Sequence, residues 1–142
     1  MIKQTRTYQD ANGATRTEDL YFNLNEIEMV RLVAKLGVED LKEYVKVLSD
    51  NGNLKDMIAF LEELILSSYG TKSDDGKSFV KDAAKTKAFE QSQAYSDMFV
   101  ELLNEPAKAM AFGEGIVTKP TPKESLGDQA AAKFGVLKGT QE

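Results

Sequence analysis

The sequence predicts an α+β fold that is mainly α-helical: an N-terminal β-hairpin, a compact bundle of about five or six short helices, and a flexible C-terminal tail. Three observations carry this expectation. Asn12-Gly13 stands between two runs of β-forming residues. From Asn25 onward apolar residues recur at helical spacing. After Gly113, Pro and Gly punctuate a stretch with few large apolar side chains.

The hairpin comes first. Lys3 to Tyr8 alternates and is rich in Thr, and Ala14 to Leu24 holds Thr15, Thr17, Tyr21 and Phe22. Both runs have the character of strands. Between them Asp10-Ala11-Asn12-Gly13 supplies a turn, with Gly13 suited to positive φ. A lone hairpin is marginally stable, so this one needs to dock on the helices, extend a partner's sheet, or order on binding.

Helix signals follow. Asn25 and Glu28 have capping-box spacing, Leu24 and Met29 can form a hydrophobic staple, and Gly37 is a suitable left-handed terminator. Ile27, Val30, Leu32, Val33 and Leu36 give this first helix its apolar side, over about three turns. Over Glu39 to Leu48, the residues Leu41, Tyr44, Val45 and Leu48 form one stripe, before the turn Asp50-Asn51-Gly52-Asn53. Leu54 to Ser68 has the strongest pattern: Met57, Ile58, Leu61, Leu64 and Ile65 repeat at three and four, with Glu62 and Glu63 outside the stripe. This segment is expected at the centre of the core. Helical patterning returns at Asp82 to Phe89, Gln91 to Leu103 and Pro106 to Phe112. Pro106 fits a first turn, so Asn104-Glu105 should join two helices. The folded domain is expected over residues 1–117 and the tail over 118–142, with a short helix at 128–134 that would need a partner.

Composition narrows the function. The chain has no Cys and no His, which removes thiolate and imidazole nucleophiles, His-ligated zinc and disulfides. Paired carboxylates remain chemically possible. However, Glu62-Glu63, Glu39-Asp40 and Asp74-Asp75 fall on helix faces or in turns, away from pocket signals. No catalytic residue, cofactor or metal is therefore expected. Ser73-Asp74-Asp75-Gly76 superficially resembles a calcium loop, but Thr71 and Asp82 would then fill the positions that call for Asp and Glu. It reads as a turn before the next helix. A net charge of −5 opposes binding to nucleic acid. The opening residues lack the apolar stretch of a signal peptide, and no segment approaches the ~20 apolar residues of a membrane span. The protein is expected to be soluble where it is made, without a membrane or nucleic-acid partner.

Four blocks carry a family resemblance. They are the run ending Glu18-Asp19-Leu20-Tyr21-Phe22-Asn23-Leu24-Asn25; Ser68-Tyr69-Gly70-Thr71-Lys72-Ser73-Asp74-Asp75-Gly76-Lys77-Ser78-Phe79; Phe89-Glu90-Gln91-Ser92-Gln93-Ala94-Tyr95-Ser96-Asp97-Met98-Phe99-Val100-Glu101-Leu102; and Ala109-Met110-Ala111-Phe112 with Gly115-Ile116-Val117. In this order and spacing the chain resembles the tail assembly chaperones of siphophages that infect Gram-positive hosts. The likeness covers residues 1 to about 118, and residues 119–142 have no evident counterpart.

The resemblance implies a non-enzymatic protein of the host bacterial cytoplasm, absent from the mature virion. It would bind and solubilise the phage tape measure protein and help recruit tail-tube subunits. The tail-tube protein would be reached through a longer, frameshifted form, and copies could self-associate along the partner. Met and aromatic side chains can grip a partner's apolar helices, which makes Tyr69, Phe79, Tyr95, Met98, Phe99 and Phe112 candidate partner-binding residues. Aromatic residues at such spacing more often build a core, and each is read both ways. A structural virion component or a regulatory adaptor on the same helical body is the alternative.

Overall fold

The computed structural model describes residues 1–39, 41–51 and 53–117, with the backbone but not the side chain of Lys42. The tail expected over 118–142, its helix at 128–134, and Asp40 and Gly52 lie outside the described residues.

The hairpin forms as its turn chemistry dictates. Strands β1 (Ile2–Gln9) and β2 (Thr15–Phe22) pair antiparallel, with Ile2 opposite Phe22 and Gln9 opposite Thr15. Gly13 takes φ 82°, and the Asp10 carboxylate accepts from the amides of Asn12 and Ala14. The hairpin docks on its own chain. Its partner is a strand that the sequence pattern does not announce: β3 (Tyr69–Lys72) pairs with β2, and β4 (Phe79–Val80) pairs with β3. The result is a four-stranded antiparallel sheet of order β1-β2-β3-β4.

Six helices accompany the sheet among the described residues: α1 (Glu26–Leu36), α2 (Leu41–Asn51), α3 (Leu54–Ser68), α4 (Ala83–Glu90), α5 (Gln93–Asn104) and α6 (Pro106–Gly115). The start of α1 has the reciprocal capping box of Asn25 and Glu28, and Gly37 ends it at φ 71°. Asn53, Asp82 and Ser92 cap α3, α4 and α5 by accepting from backbone amides. Pro106 opens α6, where its missing N–H costs nothing. Some boundaries differ from expectation. Helix α2 begins at Leu41 rather than Glu39 and runs on through Asp50 and Asn51, α5 begins at Gln93 rather than Gln91, and α6 continues past Phe112 to Gly115.

Helix α3 passes straight into β3, because Tyr69 turns to extended backbone (φ −65°, ψ 140°) while its amide still donates to Ile65. Ser68 is fully buried at this junction, and its carbonyl accepts from the Asn23 amide. Next along the chain, the Leu24 amide donates to the Ile116 carbonyl at 2.7 Å, and Leu24 bridges Val117 in parallel. The buried residues form one cluster. It draws Leu20, Phe22 and Leu24 from the hairpin side, Phe60, Leu61, Leu64 and Ile65 from α3, and Met98, Leu102, Phe112 and Ile116 from the last third of the body. Helix α3 is central as expected, although Ile58 is exposed and Phe60, outside its expected stripe, is buried.

Candidate functional site

Two of the aromatic residues singled out from sequence, Tyr69 and Phe112, meet the ring of Phe22. This ring is fully buried and meets Tyr69, Phe89 and Phe112 at centroid distances of 5.8, 5.8 and 5.3 Å. Tyr69 stacks on Phe89 at 4.3 Å, and the chain of rings continues through Tyr95 to Phe99. Edge-to-face and stacked pairs of this kind add about 0.5–1.5 kcal/mol each beyond burial.

Of the six candidates, Met98 is 0% exposed and Phe112 is 2% exposed, so neither offers surface to a partner in this conformation. Helix α5 turns Met98 inward with Ala94 and Leu102, and α6 does the same with Phe112. Tyr69, Tyr95 and Phe99 are half-buried and packed against the core. Phe79 is half-buried and lies against Gly70, where a Cβ would stand 2.5 Å from its ring. Burial raises the Tyr69 hydroxyl pKa, with a further push from Glu18. Burial, followed by Glu62 and Glu90, pushes Tyr95 up to about 12, and its hydroxyl has no hydrogen-bond partner among the described residues.

The loop that resembles a calcium site is a hairpin tip joining β3 to β4. The Ser73 hydroxyl donates to the Asp75 carboxylate, the Lys77 amide donates to the same oxygen, and Gly76 takes φ 75°. These hydrogen bonds hold the Asp75 carboxyl below its ordinary pKa, first through Lys77 and then through Ser73. The side chains of Ser73 and Asp75 are thus engaged within the turn itself. Among the described residues, no group of three or more His, Cys, Asp or Glu is placed to hold a metal, and no helix is long and apolar enough to cross a membrane.

The concave apolar surface lies elsewhere, around α2. One groove of about 520 Å³ runs between α2 (Val45, Leu48), α3 (Met57, Phe60, Leu61, Leu64) and the α5–α6 corner (Leu102, Leu103, Pro106, Ala109, Met110). A second, of about 350 Å³, adjoins it and includes Met29, Val33, Leu41 and Val117. The two share Val45, Leu64, Ala109, Met110 and Glu114. Met110 is 39% exposed, a large flexible apolar side chain left partly in solvent. A groove of this size and lining has the form of a binding site. Sequence reasoning missed it, though Leu103 and Met110 carried a signal: both are apolar positions outside the stripes that the core required.

Among the described residues this arrangement offers apolar concavity. A family model described as Phage tail assembly chaperone matches residues 1–133. The chain belongs to the phage tail assembly chaperone family. No curated protein and no solved structure matches it significantly. The family match runs past residue 118, where the motif resemblance stops, so residues 119–133 do have a counterpart in the family. As a tail assembly chaperone, the protein has tail proteins as its general class of partner and a role in tail assembly.

Proposed function

We propose that this tail assembly chaperone binds the phage tape measure protein and keeps it soluble in the host cytoplasm while the tail is built, then leaves before the virion is complete. Residues 1–117 act as the binding body, several copies sit along one tape measure chain, and tail-tube subunits are recruited through a longer, frameshifted form. The observation that carries this reading is the adjoining pair of apolar grooves around α2. Helix-in-groove recognition uses such a surface to take the apolar face of an amphipathic helix. Apolar burial is not screened by salt, so the complex should survive moderate ionic strength.

Co-expression with the tape measure protein of the same phage, then pull-down at low and high salt, tests the reading. The expected result is soluble tape measure protein retained in both buffers. Met110→Asp should abolish retention while the melting temperature changes little, because Met110 is partly exposed. Tape measure protein that stays insoluble and unretained in both buffers would overturn the partner. Undiminished retention by Met110→Asp would overturn the surface.

A further inference from the structure

We infer that residues 130–137 of this chain dock in the apolar grooves around α2, so that a partner helix must displace them to bind. This adds regulation to the groove reading given above and rests on it. The inference starts from where the chain leaves the described body. Val117, the last described residue, lines the second groove together with Met29, Val33, Leu41 and Met110. Its place there is pinned. The Leu24 amide donates to the carbonyl of the fully buried Ile116 at 2.7 Å, and Leu24 bridges Val117 itself. Whatever follows Val117 is therefore tethered at the wall of the groove.

The sequence says what the tether carries. Leu126, Phe134, Val136 and Leu137 are the large apolar residues of 118–142, and three of the four fall within four positions. Ala130, Phe134 and Leu137 stand at i, i+4 and i+7, the spacing with which helix anchors enter an apolar groove. A helix this short needs a partner to be stable, and the grooves offer one within reach. Residues 118–129 separate the root from Ala130, and a coil of that length spans about 20 Å. The wall formed by α2, 11 residues long, runs about 16 Å. When tether and span match in this way, the local concentration of the tethered segment is on the order of millimolar. A contact of modest intrinsic affinity then fills the groove. Gly135, inside the segment, weakens a helix by about 1 kcal/mol relative to Ala, which keeps the contact displaceable.

The test uses the full chain, which has no tryptophan. Phe134→Trp places a single indole in the segment, and its emission is read with no partner present. The expected result is a blue-shifted maximum relative to a free tryptophan derivative, unchanged on wide dilution. Adding Met110→Asp should return the emission to that of a solvent-exposed indole. In a second measurement, a synthetic amphipathic helix with an apolar i, i+4, i+7 stripe is titrated by fluorescence anisotropy. The chain carrying Phe134→Ser and Leu137→Ser should bind it about tenfold tighter than the parent, the gain expected when the segment holds the groove in about nine molecules of ten.

A solvent-exposed indole in the full chain would overturn the inference. So would a blue shift that Met110→Asp leaves in place, or equal affinities of parent and double variant for the synthetic helix. A blue shift lost on dilution would place the segment in a second copy's groove and overturn docking within one chain. The two proposals fail separately, because the emission is read without tape measure protein. A docked indole without capture of that protein would leave the internal contact standing and remove the named partner. Capture by a chain whose indole is exposed would do the reverse.

Discussion

Two sides of this small body use apolar side chains in opposite ways. Around Phe22 the rings of Tyr69, Phe89 and Phe112 interlock, and Phe22 itself is fully buried among them. Around Val45 the same kinds of residue face one another across grooves, and Met110 stands partly in water. Both sides are apolar in sequence; only one has consumed its surface. An apolar side chain thus marks either a contact made within the chain or a contact still to be made, and packing separates the two.

The sharpest way to break this comparison is to hollow each side. Phe22→Ala should cost about 3–5 kcal/mol, because a fully buried ring leaves a cavity that its neighbours cannot fill. Val45→Ala, at a half-buried position already beside open space, should cost about 1 kcal/mol. Urea denaturation of both variants measures the difference, and equal losses would show that the α2 side is packed as tightly as the ring cluster.

Adding a methyl group probes the same contrast from the other direction. At Gly70 a Cβ would lie 2.5 Å from the Phe79 ring and 2.9 Å from the Val80 carbonyl oxygen, which is backbone and cannot swing aside. Gly70→Ala should therefore destabilise by about 1–3 kcal/mol. Gly113, in α6 beside the second groove, has nothing within 4 Å of the same added atom. Gly113→Ala should stabilise by about 0.5–1 kcal/mol through helix propensity. Thermal melts of the pair should move in opposite directions.

The smallest effect belongs to Tyr95, the one ring of the cluster whose hydroxyl is enclosed without a partner among the described residues. Tyr95→Phe should change stability at neutral pH by less than about 1 kcal/mol, since no hydrogen bond is lost. Its effect should appear in alkali. The folded-state pKa is raised from 10.0 to about 12, so the stability linked to the protonated ring is complete below pH 10 and is lost as pH rises through 12. Melting temperatures measured across that window should fall less steeply for Tyr95→Phe than for the parent.

What could be read from sequence was what short segments decide. The Asn12-Gly13 turn, the Asn25/Glu28 capping box, the left-handed Gly37 and the helix start at Pro106 each depend on a few neighbouring residues, and each is where the sequence placed it. Strands β3 and β4 could not be read in this way. They have four and two residues, too few to show a period, and β3 exists because β2 offers an edge almost fifty positions earlier in the chain. The six nominated side chains failed to mark the groove for a related reason. A stripe identifies a helix's apolar face but not how deeply each position on it is covered, so Met98 and Phe112 looked the same as residues left at the surface. The groove itself depends on how α2, α3 and α6 cross, and no local pattern encodes that.

The bond from the Leu24 amide to the Ile116 carbonyl has a consequence for how the protein is made. Synthesis delivers the N-terminal hairpin first, yet the carbonyl that completes its exit is added roughly ninety residues later. At about 5–20 residues per second, that interval is roughly 5–18 s. Throughout it Leu24 lacks its native backbone partner, and Phe22 lacks the Phe112 ring. The nascent hairpin must wait, paired with itself and then with β3, for the last helix to close the body over it.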